Sequence, residues 1–449
     1  MSAEAVDDRG ERYLIVGAGP SGLAVARAFA EGGVPFDIVE RHRDVGGIWD
    51  MENPGTPMYD SAHFISSKTL SGFDGYPMPS HYPDYPGWRE VLAYIRAFAD
   101  DHGLRERVEV GVDVERVLPD DGDAWRVKLA SGETRRYGGV VAAAGHDWLP
   151  RMPAYPGSFL GERYHSVCYR SAREFLGKRV LVVGGGNSGC DIACDAATHA
   201  DRAFISLRRG YHFLPKHLFG KPTDLFFRSG PQPPARLAQP VLSLLLRVVV
   251  GDLTRYGLPK PDHKPLASHP IVNSQLLHHL AHGNIAAKPD VARFEGSTVH
   301  FTDDSSADVD LVVFATGYRH EIPFLDTVLG VDGGRRLWAN MFVPGHPTLF
   351  VAGHFESDGG AYSLVSKQGT LFAGLARRPE ARQALAARLR TPAPSLTGGI
   401  RHIDSPRHGI HVNLEAYTHF LTKLRNAVGD SQSGRGNEKT ALSRSRVDD

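Results

Sequence analysis

Tyr13-Leu14-Ile15-Val16-Gly17-Ala18-Gly19-Pro20-Ser21-Gly22 decides the fold. The four apolar residues suit a strand buried on both faces, and they run straight into a GxGxxG turn. Leu23 to Ala30 reads as a helix ended by Gly32-Gly33, and Phe36-Asp37-Ile38-Val39 as a second strand closing on Glu40. That acid lies 18 residues past Gly22, where a ribose-binding carboxylate belongs in a dinucleotide-binding βαβ unit. Gly17 allows the tight turn, Gly19 lets the backbone approach a pyrophosphate, and Gly22 permits close helix–strand packing. Pro20 and Ser21 complete the turn, where free N–H groups and the positive end of the helix dipole face the diphosphate. Glu40 accepts from ribose hydroxyls and repels a 2′-phosphate, so this site suits FAD or NAD.

A lone match would carry little weight. With 49 glycines in 449 residues, the pattern arises by chance roughly 0.6 times in such a chain. A second copy follows, Gly184-Gly185-Gly186-Asn187-Ser188-Gly189, which starts 167 residues after the first. Arg179 to Val183 feeds it as a strand, and Cys190 to Ala197 continues it as a helix. The next apolar run, Ala203 to Leu207, ends on Arg208-Arg209 in place of an acid. Guanidinium groups at that strand end bind a 2′-phosphate bidentately, so this site suits NADPH. Gly184, Gly186, Asn187, Ser188 and Gly189 are its candidate backbone cradle. Two dinucleotide sites in one chain imply that one nucleotide reduces the other.

Between the fingerprints stands Phe159-Leu160-Gly161-Glu162-Arg163-Tyr164-His165-Ser166-Val167-Cys168-Tyr169. It matches FxGxxxHxxx(Y/W), the identifying pattern of the flavin-containing monooxygenase family, which this chain resembles. Glu40-Arg41 followed by Gly46-Gly47-Ile48-Trp49 resembles the family's flavin segment. Val141 to His146, including Gly145, resembles the first crossing between domains. Phe314-Ala315-Thr316-Gly317-Tyr318 resembles the FATGY block. Together these cover residues 12 to about 370 in the right order.

The resemblance implies an α/β fold with two Rossmann-like domains, the FAD domain discontinuous. The expected division is 1–150 and 321–430 for FAD, with 165–320 for NADPH and a Pro-rich insertion at 220–268. Residues 431–449 are polar and read as a disordered tail. Leu349 to Gly353 reads as a last buried strand whose glycine approaches the flavin. The resemblance further implies that NADPH reduces FAD, that a flavin hydroperoxide forms with dioxygen, and that a small organic molecule is oxygenated. His165 is then either a linker between domains or a participant in gating and catalysis, with Gly161 leaving room near the crossing.

One departure from the family pattern stands out. Phe64-Ile65-Ser66-Ser67-Lys68 places Ile65 where family members commonly carry an asparagine beside flavin and NADP⁺. Isoleucine cannot donate a hydrogen bond there. Either Ser66 or Ser67 takes over, with Ser66 the candidate catalytic donor, or the reduced flavin is less protected. Simple drift in a loop is the third reading. Tyr169, at the end of the signature, resembles the heteroatom-oxidising members and favours N- or S-oxygenation. Baeyer–Villiger or keto-acid oxygenation stays open, because Tyr211 to Lys216 resembles members acting on keto acids. An uncoupled NADPH oxidase or sensor is the reading from a different class.

Composition sets limits on partners. The 51 basic and 51 acidic residues cancel, so nothing favours nucleic acid. The most apolar run, Val241 to Val250, is interrupted by Arg247 and is far short of the ~20 residues a membrane span requires. Three cysteines with no CxxC pair exclude a flavin–disulfide reductase and, with no signal pattern, point to a reducing cytoplasm. His278, His279 and His282 lack cysteine or acidic companions, so no metal is expected. A homodimer is the expected assembly if the chain is not a monomer.

Overall fold

The structure, a computed structural model, describes residues 6–229, 235–330, 337–405 and 407–427. The expected tail at 431–449 lies outside these residues. In chain order the elements that position the site begin with β1 (Tyr13–Val16), α1 (Pro20–Gly32), β2 (Phe36–Glu40), α2 (Trp88–Asp101), β3 (Val108–Val110) and β4 (Gly139–Ala142). Next come β5 (Glu162–His165), β6 (Arg179–Val183), α3 (Asn187–His199), β7 (Arg202–Ser206), α4 (Ala235–Val249), β8 (Ile285–Lys288) and β9 (Leu311–Phe314). The last are β10 (Leu349–Val351), α5 (Tyr362–Arg377) and α6 (Leu414–Ala427).

Two five-stranded parallel sheets repeat one plan. The first has the order β10-β4-β1-β2-β3 and the second β5-β9-β6-β7-β8. Each fingerprint therefore leaves a central strand at the point where strand order reverses, and that is where open α/β sheets bind ligands. Each half also carries a four-stranded sheet of mostly antiparallel strands, one through Val114–Pro119 and Trp125–Leu129, the other through Val291–Gly296 and Thr298–Phe301. The edge place filled by β10 in the first sheet is filled in the second by β5, which carries the histidine signature. The first sheet takes β10 from far down the chain, so the FAD-type half is discontinuous.

The local sequence explains the elements. All of β1 and β4 is buried, as near-continuous apolar runs in a covered parallel sheet must be. Pro20 stands at the first turn of α1, and Gly33 ends it in the left-handed conformation at φ 66°. α1 packs against α5 closely enough that a Cβ at Gly369 would lie 2.9 Å from the Ala24 carbonyl oxygen.

The insertion forms a satellite core. Leu242 and Leu246 of α4 bury against Leu214, while Val241, Leu244 and Val248 stay exposed. Among the described residues, no helix is long and apolar enough to cross a membrane.

The two crossings between halves pair with each other. Arg151 N–H donates to the Gly317 carbonyl at 3.0 Å, Arg319 N–H to Leu149 at 2.8 Å, and Pro150 faces Tyr318 in an antiparallel bridge. The Thr316 hydroxyl adds a bond to the Arg151 carbonyl at 2.6 Å. These contacts set the two sheets' carboxyl ends around shared space.

Candidate functional site

Both glycine loops show the same steric demands. Gly17 and Gly184 adopt φ 105° and 123°, conformations that disfavour a side chain. A Cβ at Gly22 would lie 1.8 Å from the Gly17 oxygen, and one at Gly189 2.2 Å from the Gly184 oxygen. Those glycines are fixed by packing. Gly186 differs, since a Cβ there would meet nothing within 4 Å. That openness fits a backbone left clear for a ligand.

A cavity of about 480 Å³ opens beyond β1 and β4. Gly17, Gly19, Pro20, Ser21, Glu40, Arg41, Gly47, Ile48, Trp49, Gly145 and Gly353 all line it. Gly22 sits behind the loop, in the packing position its sequence context implies. The Glu40 carboxylate accepts the Ala18 N–H at 2.7 Å and the His42 N–H at 2.9 Å, and so braces the loop. Arg41 lies over the Trp148 ring at 4.6 Å. A Cβ at Gly353 would come within 2.1 Å of the Ser21 hydroxyl, so the end of β10 is pressed onto the start of α1.

A second cavity, of about 570 Å³, runs along β6 and β7. Its lining includes Gly184, Gly186, Asn187, Ser188, Gly189, Arg208, Arg209, Thr316, Gly317 and Ile65. The Asn187 side chain accepts the Val272 N–H at 2.9 Å, which ties the loop to the end of the insertion. The two arginines diverge. Arg208 acts electrostatically on Tyr155, whereas Arg209 lies over Tyr211 at 5.8 Å and near His408. Asp191 also lines the cavity, held by Asn273 at 2.7 Å and Tyr59 at 3.2 Å, and burial pushes its carboxyl up. Ile48 and Asp147 belong to both linings, so the cavities adjoin there.

Three residues singled out in the sequence lie elsewhere. The Ser66 hydroxyl is 2.7 Å from that of Ser71, and Ser66 lines neither cavity. His165 is buried at the end of β5 and is likewise absent from both linings. Its Nδ1 accepts the Val167 N–H at 3.1 Å, so Nε2 carries the proton and donates to the Gly317 carbonyl at 3.0 Å. Burial holds it below the usual histidine range. This is the geometry of a neutral tie between the signature strand and the returning crossing. Tyr169 is fully buried, stacked on Phe175 at 5.0 Å and donating to Asp195 at 2.8 Å. Its link to reaction type therefore does not run through substrate contact. Gly161 makes close contact too: a Cβ there would lie 2.5 Å from the Asp310 carbonyl oxygen, so it serves strand packing and leaves no room at the crossing.

The structure adds groups that sequence reading missed. His320, Glu356, Arg407, His269 and His408 line the second cavity, and His354 packs behind His146. Arg407 donates to Glu356 at 2.9 Å, and that pairing keeps the carboxylate ionised. Burial pushes His354 down to about 3 and His408 to about 4. These residues come from four separate segments, and no spacing rule joins them. His146, next to Gly145 in the crossing, was the one available signal.

Comparison with known proteins agrees with this geometry. A family model described as flavin-binding monooxygenase-like matches residues 10–387. Flavin-containing monooxygenase 5 of Rattus norvegicus is 31% identical, covering 93% of this chain and 83% of its own length. Indole-3-pyruvate monooxygenase YUCCA1 of Oryza sativa subsp. japonica is 32% identical over 72% of this chain and 81% of its own. Among solved structures, NADP⁺-bound cyclohexanone monooxygenase from Rhodococcus shares the fold with a TM-score of 0.72 at 16% identity, covering 96% of this chain and 99% of that one. Two glycine cradles on adjoining cavities, matched along most of the chain, place it in the flavin-binding monooxygenase-like family, as an enzyme dependent on FAD and NADPH.

Proposed function

We propose that FAD occupies the cavity beyond β1 and β4, and NADPH the cavity along β6 and β7. The residues named in each lining hold them, and the domains divide as 1–150 with 321–430, and 165–320. When bound and reduced, FAD supplies the oxygen-activating chemistry. The protein's part is to bind, to orient and to exclude water. The substrate then enters where the cavities adjoin.

Our reading of the reaction is oxygenation of a nucleophilic nitrogen or sulfur in a small organic molecule. The observation that carries it is the Asp147 carboxylate, which stands in both linings, whereas Glu356 in the second is already engaged by Arg407. A lone carboxylate at the junction favours a basic amine. A second reading, oxygenation of a keto acid, draws on Arg407, which lines the same cavity with Nε unpartnered. The sequence relative named for indole-3-pyruvate supports it.

The test is NADPH consumption by FAD-loaded enzyme with a tertiary amine, a thioether, a ketone and a 2-keto acid, with products read by mass. A one-oxygen gain on the amine or thioether supports the first reading. Oxygenation confined to the ketone or keto acid sinks it, and peroxide release with every candidate points to an oxidase. We further propose a cytoplasmic setting, supported by three free thiols of which two are buried, and a homodimer, checked by sedimentation.

A further inference from the structure

We propose that His146, Asp147 and His320 form a binding site for a divalent transition-metal ion, at the junction of the two cavities. Each residue offers one donor atom, and the three atoms lie within 4.8 Å of one another. The His146 Nε2 is 3.8 Å from the Asp147 carboxylate, and the His146 and His320 rings are 5.5 Å apart. A tetrahedral ion with ligands at about 2.1 Å holds its donors about 3.4 Å apart, so modest ring rotation closes the set.

Several features favour an ion over a simple polar cluster. The Nδ1 atoms of His146 and His320 are buried without a hydrogen-bond partner in the protein. Unpaired buried polar atoms are rare and costly; the His146 nitrogen nearest Asp147 is Nε2, so a flip of that ring is what would turn its unpaired Nδ1 onto the ion. The nearby Arg407 charge is opposed by Glu356 at 2.9 Å.

Two imidazoles and one carboxylate suit zinc and its first-row neighbours, and do not suit magnesium or calcium. His146 and Asp147 follow β4 in the outgoing crossing, and His320 follows β9 in the returning one. An ion bound there would staple the two crossings between halves. It would also stand in the wall shared by both cavities, where it narrows access.

The experiment titrates Co²⁺ into full-length, FAD-loaded, chelator-treated protein and reads d–d absorbance to the red of the flavin bands. One equivalent should bind. His320→Ala, and Asp147→Asn as a variant that changes little volume, should each weaken binding on the order of 100-fold, at the top of the range for losing even a supporting group. The control is His278→Ala with His282→Ala on an exposed helix face, where the two rings lie 4.2 Å apart. That control should leave the first equivalent unchanged. Absence of a Co²⁺ band, or binding lost in the control and kept in His320→Ala, overturns the site. The readout needs no turnover, so it tests the ion separately from the substrate reading; an ion on Asp147 would take that carboxylate out of amine binding.

Discussion

Arg208 and Arg209 both line the second cavity, with Arg208 in electrostatic reach of Tyr155 and Arg209 over Tyr211. Replacing both with alanine should raise the apparent KM for NADPH by about 10- to 100-fold, the worth of one or two charged hydrogen bonds. The constant for NADH should barely move. Equal effects on both would remove the 2′-phosphate assignment.

His165 makes the opposite case, a signature residue whose geometry is structural. His165→Ala leaves the Gly317 carbonyl and the Val167 N–H without their partner, at a cost of about 1–3 kcal/mol. The thermal midpoint of FAD-loaded protein should fall, while the pH profile of turnover keeps its shape. A lost limb in that profile would restore a proton-transfer role. Ile65 lines the second cavity with no polar atom to offer. Ile65→Asn should lower peroxide released per NADPH oxidised, and an unchanged ratio makes the isoleucine a neutral replacement.

At the scale of elements, the two strand–turn–helix units separate packing glycines from ligand glycines. Gly22→Ala drives a methyl to 1.8 Å from the Gly17 oxygen. The forced backbone shift costs about 1–3 kcal/mol or more, so FAD content per chain and thermal midpoint should both drop. Gly186→Ala meets no protein atom within 4 Å. Its midpoint should hold while NADPH binding, followed by flavin-fluorescence titration, weakens. If both variants behave alike, the distinction between the two glycine roles fails.

This scale also shows what was legible before the structure. Strand, turn and helix of each unit follow from hydrophobic runs and glycine spacing, since each is closed within about thirty residues. The place of β5 beside β9 was not legible. A parallel neighbour is chosen by the crossover that delivers it, and four apolar or mixed residues carry no address.

Across the whole molecule, buried histidines set the response to acid. Burial lowers His354 to about 3, His408 to about 4 and His411 to about 3, from an ordinary value near 6.5. The unfolded chain therefore binds more protons than the folded one below about pH 6.5, and stability rises with pH in that window. It is fully present above pH 6.5 and is lost as pH falls toward 4, by at most about 1.4 kcal/mol per group per pH unit. Thermal midpoints from pH 8 to 4.5 should stay level above pH 6.5 and fall below it. His354→Gln should flatten the fall, and a midpoint indifferent to pH would contradict the burial of these rings.

The sequence by itself determined the two dinucleotide units, the discontinuous half and the family. Those features rest on short-range geometry: a turn that only glycine makes, and a charge placed one strand-end away. Tertiary structure alone decided which polar groups meet. Glu356, Arg407, His269, His320 and His354 converge because the crossings pair and Ile403, Arg407 and His408 contact both halves, and convergence of distant segments leaves no period in a sequence. It also supplied protein partners for the side chains of Ser66, His165 and Tyr169. A motif records which residue is needed; the direction its side chain takes depends on neighbours supplied from elsewhere in the chain.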